Sequence, residues 1–446
     1  MKILRIQFAS NDIFSNHQVI FGGPDVPDIA FLVGNNGSGK TKLLDLIHHA
    51  FVSPHEHAGN YEFTMRLKLS DEEVALLGLP ANEVDYLVRK NAEQGTNTYM
   101  VLPDGGQVNS GPLTQIAKVV FSTIEVNFNE TPVNAVTSKD IDDEAVPRTR
   151  SINLSTEIPQ LLVDIKSLDD ADIAAWHNAN KAAGHADPFP DIGTRLSRFT
   201  EAFHKIYAGE KTFLDIKNIG AAKQIVFVDK NGDEIPLTGL STGEKQIIYR
   251  MGYILRNLGN IHGGVVLIDE PEISLHPSWQ LKLKDFLLEL FHGQDVQIII
   301  ATHSPYIFQG LNETREACIK IDRSVGQSQK VHMVFPGVPY TPSVQLITYL
   351  AYGVISEILH IELYTLLQIR EGRGTISGME DWLRHPAGGN MPIHQTFVRT
   401  GHVAATDESI MTWIRNKIHH ADEPARPDFT KADLKSSIDR MIALLS

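Results

Sequence analysis

Strand-like patterns dominate the first third of the chain. Residues 3–8 and 19–21 predict two strands, and residues 29–33 form a third that is apolar throughout, as in a strand buried on both faces. Residues 61–70 alternate between apolar and polar side chains, which predicts a half-buried antiparallel strand. A further strand is predicted at residues 119–128. These patterns predict a first lobe built mainly on sheets, with at least one strand in its interior.

The strand pattern is lost in the middle of the chain. Residues 130–220 carry helical-looking segments without the sustained heptads of a long coiled-coil arm, and they predict a helical insertion. Strands return within residues 224–237, where Asn231-Gly232 is a strong hairpin signal. Past the Pro- and Gly-rich residues 336–342 the pattern is helical to the end. We therefore expect two domains, at residues 1–335 and 336–446.

Composition narrows the classes of protein that fit. The 446 residues include 40 Lys plus Arg and 54 Asp plus Glu, so the formal charge is 40 − 54 = −14. Such a chain is not a polycation that coats nucleic acid, and any nucleic-acid contact needs a local basic patch or a partner. The single cysteine, Cys318, cannot form an intrachain disulfide. With no secretion signal and no apolar run long enough to span a bilayer, a cytoplasmic protein without membrane contact is expected.

One glycine-rich segment carries a phosphate-binding pattern. It fits G-x-x-x-x-G-K-[ST] and lies between the buried strand and a predicted helix, so an ordinary strand-to-helix turn is the weaker interpretation. Backbone N–H groups of such a loop close around a phosphate, with help from the helix N-terminus. Lys40 would reach the β- and γ-phosphates, and the Thr41 hydroxyl would bind Mg²⁺. The predicted loop residues are Gly34, Asn35, Asn36, Gly37, Ser38, Gly39, Lys40 and Thr41.

Two further apolar strands end in polar side chains. Residues 265–268 lead into Asp269, a candidate Mg²⁺ ligand, and Glu270, a candidate base for the attacking water. Residues 298–302 lead into His303, which could sense the γ-phosphate. Each strand end alone would be an unremarkable charged terminus or a structural histidine. Together with the phosphate loop they predict a nucleotide site.

A fourth segment opens a helix. Ser241 and Glu244 stand as S-x-x-E before an apolar-periodic run, which predicts a capping box and a helix N-terminus able to meet an anion. A plain helix cap is the simpler interpretation of this segment when it is taken alone.

In their order along the chain, GNNGSGKT, LSTGEKQ, VVLIDEPEISLHP and IIIATHSP resemble the ABC-type ATPases, in the soluble branch of SMC heads and antiphage-defence ATPases. The resemblance covers about residues 1–335. It departs from the commonest signature at Thr242 and Glu244, and no convincing glutamine loop is visible near residues 119–130.

The resemblance implies an α/β ABC-type ATPase head with an inserted helical subdomain, followed by an all-α C-terminal domain. It also implies that two subunits enclose ATP and Mg²⁺ as a homodimer or higher oligomer. One subunit would supply Lys40, Thr41, Asp269, Glu270 and His303, and the other Ser241 and Gly243.

The C-terminal region leaves two interpretations open. Arg415 and His420 form R-N-x-x-x-H, which resembles the motif of HEPN-type ribonucleases, where the Arg holds a phosphate and the His moves a proton. The same pair could simply pack a helical docking domain. The region also resembles, more faintly, the C-termini of Septu and retron-associated defence ATPases, which work with a separate nuclease subunit.

From these features we predict an ATP-hydrolysing subunit of a bacterial antiphage system that dimerises on ATP and controls a nuclease. The alternatives are an SMC-like DNA-repair head that binds DNA ends, and an ATPase-gated ribonuclease that uses its own C-terminal domain. The absence of a heptad-bearing arm argues against the DNA-repair head.

Overall fold

The protein divides into two compact units in a computed structural model. The units comprise Met1–Lys330 and Val331–Ser446, so the division lies five residues (335 − 330) before the predicted boundary. The structure describes residues 1–10, 14–23, 26–52, 60–91, 95–123, 132–151, 153–183, 194–207, 209–220, 222–331, 335–337, 341–398, 400–401 and 403–446.

The strands of the first unit form three sheets among the described residues. Their bounds are β1 Lys2–Ser10, β2 Gln18–Ile20, β3 Ile29–Val33, β4 Tyr61–Lys68, β5 Glu83–Asn91, β6 Gly95–Val101, β7 Gln107–Asn109, β8 Val119–Ser122, β9 Arg148–Arg150, β10 Lys211–Ile219, β11 Ala222–Asp229, β12 Glu234–Pro236, β13 Val265–Asp269, β14 Gln297–Ala301, β15 Glu316–Lys320 and β16 Gln329–Lys330.

The helices of this unit lie between those strands. Their bounds are α1 Lys40–Val52, α2 Asp71–Leu77, α3 Gly111–Ile116, α4 Leu154–Ala182, α5 Arg195–Ile206, α6 Thr242–Arg256 and α7 Pro277–Leu290. The predicted helical insertion at residues 130–220 thus contains α4 and α5, but it also contains β9 and β10.

A seven-stranded sheet forms the centre of the first unit, in the order β16-β15-β3-β14-β13-β8-β9. Its strands are parallel except for β16. β3, β8, β13 and β14 are buried along their whole length, because helices cover a parallel sheet on its faces. α1 packs against β8, β13 and β14. Their position inside the central sheet explains why these strands are continuous apolar runs in the sequence.

The second sheet is antiparallel, in the order β2-β1-β4-β5-β6-β7. In β4 every second side chain is buried, as the alternation of residues 61–68 predicts. One hydrophobic core joins this sheet, α1 and the central sheet, and it includes Ile3, Leu44, Phe63 and Ile299. The Tyr86 hydroxyl also donates to Ala50 O at 2.6 Å, which ties β5 to α1.

The third sheet is a small antiparallel one, β10-β11-β12. β11 and β12 pair as a hairpin with Glu234 opposite Val228, and Gly232 in the turn has a φ of 88°. The Asn231-Gly232 hairpin signal therefore correctly located this turn. The strand predicted at residues 119–128 is described as β8, and residues 124–128 lie outside the described part of the chain.

The second unit is helical around its own core. Its helices are α8 Val344–Tyr352, α9 Glu357–Arg370, α10 Ile376–Arg384, α11 Ile410–His419 and α12 Lys431–Leu445. Leu363, Trp413 and Ile438 lie in this core. The prediction of an all-α domain needs correction, because β17 Gln395–Val398 and β18 Ala405–Glu408 pair as an antiparallel hairpin. These strands are only four residues long, so their alternation was too short to detect.

Among the described helices, none alone has the length and apolar composition of a membrane span. α8 and α9 pass that test only as a pair, and they are bent by 109° relative to each other.

Candidate nucleotide site

The site is built at the carboxyl ends of three adjacent parallel strands. β14 lies between β3 and β13, with Ala301 paired to Leu32 on one side and to Asp269 on the other. The segments that leave these strands therefore emerge side by side. This edge of an open parallel sheet is where ligands bind in α/β folds.

The segment after β3 has the backbone of a phosphate-binding loop. Gly34, Gly37 and Gly39 all have positive φ, and a Cβ on Gly34 would lie 2.5 Å from Ile321 O, so a side chain there would clash. Asn35, Asn36 and Gly37 are exposed, while the Ser38 hydroxyl is buried. The loop leads directly into α1, whose N-terminus contributes a positive partial charge.

Lys40 and His303 meet above this loop. Lys40 Nζ donates to Gly34 O at 3.0 Å and lies 2.9 Å from His303 Nε2. Burial lowers the pKa of Lys40, against the opposing effect of the nearby carboxylates. Burial and the Lys40 charge lower the pKa of His303. A neutral His303 that accepts a hydrogen bond from the Lys40 ammonium is consistent with the lowered pKa values of both residues.

Asp269 and Thr41 form a second part of the site. Thr41 Oγ1 donates to Asp269 Oδ1 at 3.2 Å, and Asp269 Oδ2 is buried with no hydrogen-bond partner among the described residues. Burial raises the pKa of Asp269 from 3.8 to about 6. A buried carboxylate oxygen without a partner beside a hydroxyl is the donor set that Mg²⁺ prefers, so these residues fit that ion.

The two side chains would not bind the ion without other ligands. Within the described residues, no group of three or more His, Cys, Asp or Glu side chains is arranged to hold a metal. Mg²⁺ in nucleotide sites commonly has one or two protein ligands, with phosphate oxygens and water completing its octahedron. The arrangement of Thr41 and Asp269 matches that pattern.

Glu270 lies beside Asp269 with an unusual backbone. Its φ is 42°, a left-handed conformation that costs roughly 1–3 kcal/mol in a residue other than glycine. Its amide donates to Ala301 O at 2.8 Å, and its Oε1 lies 3.5 Å from His303 Nε2. The strained backbone turns this carboxylate toward the same place as Lys40 and His303, where a base for an attacking water is needed.

Two residues that hold the site were missed by the sequence analysis. Glu272 Oε1 accepts the backbone N–H of His303 at 2.5 Å, and burial raises the pKa of Glu272. Arg250 of α6 is buried and donates to Asp269 O at 2.6 Å, and burial lowers its pKa to about 10. The available signal for Arg250 was an arginine within the apolar-periodic run of α6, and Glu272 lies within the segment VVLIDEPEISLHP that carries the resemblance.

The predicted signature segment begins α6. Ser241 is the N-cap, and its side chain and that of Glu244 form the predicted capping box. Ser241 and Thr242 are exposed, whereas Gly243 is so close to the backbone of Ser274 that a Cβ would overlap Ser274 O. The hydrogen bonds of Ser241 thus go to its own helix, and Ser241 is exposed at the N-terminus of α6.

The C-terminal candidates lie on α11 in the second unit. Arg415 Nη1 donates to Asn416 Oδ1 at 3.0 Å, and Asn416 Nδ2 donates to Glu408 Oε1 at 2.7 Å. Glu408 also forms a buried ion pair with Arg426 at 3.0 Å. His420 is exposed just past the end of α11. Packing therefore accounts for Asn416, the residue whose polarity the ribonuclease motif would otherwise explain.

Together the fold and the site define the class of nucleotide-binding proteins that carry a phosphate loop on a parallel sheet. Residues 29–308 match the family model described as "AAA domain, putative AbiEii toxin, Type IV TA system". That match covers more than half of the chain, and the chain belongs to this family.

Similarity to curated proteins is confined to a short segment. The chain is 39% identical over 89 residues to "Retron Vc95 probable ATPase" of Vibrio cholerae serotype O1 biovar El Tor, which is 18% of this chain and 17% of the relative. It is 36% identical over 91 residues to "Retron Ec83 probable ATPase" of Escherichia coli, 18% and 16% of the two chains. It is 33% identical over 95 residues to "Septu protein PtuA" of Bacillus thuringiensis, 19% and 24%. These matches confirm that the chain resembles retron and Septu ATPases over part of its length.

Solved structures match at low identity. The SMC head domain from Thermotoga maritima aligns with a TM-score of 0.41 and 14% identity, over 74% of this chain and 98% of the other. An Smc head domain with an extended coiled coil, bound to the C-terminal domain of ScpA derived from Pyrococcus furiosus, aligns with a TM-score of 0.41 and 14% identity over 74% and 95%.

Burial of Asp269 predicts a pH-dependent stability difference in the nucleotide-free, metal-free protein. Between pH 3.8 and about 6 the folded protein retains the Asp269 proton that the unfolded chain loses, so wild-type stability falls as the pH rises through this range. Asp269→Asn removes this titration and still accepts from Thr41. We expect the free energy of unfolding of this variant to exceed that of wild type by about 2–3 kcal/mol at pH 8. At pH 5 the difference should be about half as large.

Urea titrations at both pH values measure the difference. Asp285→Asn, which changes an exposed carboxylate on α7, is the matched control. A variant that is no more stable than wild type at pH 8, or a difference that does not change with pH, would contradict the assigned burial of Asp269.

Proposed function

We propose that the chain binds ATP with Mg²⁺ and hydrolyses it to ADP and phosphate. The observation that carries the proposal is the convergence of Lys40, His303 and Glu270 above the glycine-rich loop, with Nζ–Nε2 and Nε2–Oε1 distances of 2.9 and 3.5 Å. A cation, a polar ring and a carboxylate at one point match the requirements of γ-phosphoryl transfer to water. The names of the retron relatives, each a probable ATPase, support it.

The chain's own residues divide the work between binding and proton transfer. The loop from Gly34 to Thr41 binds the phosphates through its backbone, and Lys40 exchanges His303 for the β- and γ-phosphate oxygens. Glu270 orients a water and takes its proton, while His303 contacts the γ-phosphate. Asp269 and Thr41 hold Mg²⁺, which neutralises phosphate charge when it is bound. Glu272 fixes the backbone of His303 by accepting its N–H.

We further propose that the site is completed by a second copy of the chain. Ser241 and Gly243 lie at the N-terminus of α6, where Ser241 is exposed and its side chain is hydrogen-bonded to Glu244 of the same helix. A helix N-terminus stabilises an anion by only about 0.3–1 kcal/mol when exposed. The two copies must therefore also bury surface against each other for ATP to hold them together.

The biological role that we propose is ATP-dependent control of a nuclease subunit in bacterial antiphage defence. The partial similarity to two retron ATPases and to Septu protein PtuA supports this role. In this proposal the helical second unit docks the nuclease. We favour docking over ribonuclease activity of the unit itself, because Asn416 is held in the buried network with Glu408 and Arg426.

Replacement of the proposed base should separate binding from turnover. We expect Glu270→Gln to retain ATP binding and to slow hydrolysis by about 10²–10⁴-fold, the usual contribution of a positioned base. Phosphate release and nucleotide binding are measured on the same preparation. Glu289→Gln, an exposed carboxylate on α7, is the control and should hydrolyse ATP at the wild-type rate. Wild-type turnover in Glu270→Gln would refute the assignment of this base.

ATP should change the assembly of the slow variant. Light scattering of Glu270→Gln with ATP is expected to give a larger mass than without it, and adding Ser241→Arg to this variant should abolish the increase. In a chain that keeps Glu270, Ser241→Arg should abolish hydrolysis. Ser241→Ala controls for the lost helix cap, which costs about 0.5–2 kcal/mol without adding bulk. If Ser241→Arg hydrolyses ATP as fast as Ser241→Ala, the composite site is wrong.

The docking and ribonuclease models differ in the effect of His420. We expect purified wild-type protein with ATP to leave total RNA intact, because Arg415 is bonded to the structural Asn416. His420→Ala is compared with His419→Ala, its exposed neighbour. RNA cleavage by wild type and His419→Ala that disappears in His420→Ala, at an unchanged melting temperature, would replace the docking model by the ribonuclease model.

A further inference from the structure

The order of strands in the central sheet indicates how a nucleotide would be oriented in the phosphate loop. β14 and β13, which lead to His303, Asp269 and Glu270, lie on one side of β3, and β15 lies on the other side. The groups proposed to act on the γ-phosphate are therefore all on the β14 side. A nucleotide with its γ-phosphate at these groups and its other phosphates along the loop would have its nucleoside end toward β15.

The segment after β15 runs beside the phosphate loop. Lys320 pairs with Val33 in parallel register, and Ile321 N donates to Val33 O at 2.8 Å. Two residues further on, Arg323 Nη1 donates to the carbonyl of Gly37 at 3.3 Å. Arg323 is exposed, and among the residues that the structure describes no carboxylate forms a salt bridge with it. Its charge is therefore available at the loop.

The turn that carries Arg323 is fixed from both sides. Asp322 accepts from the amide and the hydroxyl of Ser324 at 2.9 and 2.6 Å, which holds the Asp322 carboxylate in the turn. Gly326 O accepts from Gln18 N at 2.9 Å, so the turn is anchored on β2. Arg323 thus has an exposed side chain on a backbone turn that hydrogen bonds hold on both sides.

The charges at the site are distributed unevenly. Burial lowers the pKa of Lys40, and the nearby carboxylates of Glu270, Asp269 and Glu272 oppose that shift, so Lys40 lies with them at the γ-phosphate end. A nucleoside triphosphate also carries negative charge on its α- and β-phosphates. On the β15 side of the loop, Arg323 is the residue whose guanidinium reaches the loop. Guanidinium groups recognise phosphate by charge-assisted hydrogen bonds.

We propose that Arg323 is a nucleotide-binding residue that leaves the Gly37 carbonyl to contact the α- or β-phosphate of the bound nucleotide. This inference rests on the proposed function, since it requires the phosphate loop to hold a nucleotide. Because the contact is on phosphates that ATP and ADP share, it increases the affinity for both and does not sense the γ-phosphate.

Nucleotide titration of the full chain with Mg²⁺ tests the proposal. We expect Arg323→Ala to weaken ATP, ADP and GTP binding alike, by about five- to tenfold at low salt, the range for a charge-assisted contact at an exposed position. The loss should shrink as the salt concentration rises, because exposed charges are screened. Arg323→Lys should recover part of the affinity. Arg315→Ala, at the other end of β15 and paired with Asp28, is the matched control.

Four outcomes would overturn the proposal. The first is a loss of less than about threefold relative to Arg315→Ala. The second is a loss for ATP without one for ADP, which would place the contact on the γ-phosphate. The third is a loss for ATP without one for GTP, which would place it on the base, and the fourth is a loss that does not change with salt. Failure of the wild-type chain to bind nucleotide would instead refute the proposed function.

Discussion

The parallel register of β3, β14 and β13 is the constraint on which the candidate site depends. Because Leu32, Ala301 and Asp269 lie side by side, the three segments that follow them begin at one edge of the sheet. Lys40 can then reach His303, and His303 can lie near Glu270, although these residues are as much as 263 positions apart in the chain. A one-residue shift in register would move Asp269 to the opposite face and separate the group.

The site also concentrates charged groups that are buried. Lys40, Asp269 and Arg250 are each almost inaccessible to solvent. Burial lowers the pKa values of Lys40 and Arg250 and raises that of Asp269, because it disfavours the charged form of each group. Such groups are costly unless they are paired. In the ligand-free chain the pairing is incomplete, since Asp269 Oδ2 has no partner among the described residues. Phosphates and Mg²⁺ would supply the missing partners. Their contacts would offset the free-energy cost of burying these charged groups, and this would favour nucleotide binding.

The sequence predicted the parts of the fold with a strong local signal. Continuous apolar runs located β3, β13 and β14, and Asn231-Gly232 located a hairpin. The short β17–β18 hairpin lacked such a signal, and the all-α prediction failed there. The roles of Glu272, Arg250 and Arg323 could not be predicted because each depends on a contact with a residue from another segment. Tertiary proximity of this kind leaves no periodic pattern along the chain.

The central claim is that Lys40, His303 and Asp269 form a nucleotide site. A structure determined with a non-hydrolysable ATP analogue and Mg²⁺ tests it most directly. We expect phosphates within the 34–41 loop, Lys40 Nζ moved from its 2.9 Å contact with His303 Nε2 onto a phosphate oxygen, and Asp269 Oδ2 directed at the metal. A nucleotide bound elsewhere, with the contact between Lys40 and His303 intact, would contradict it.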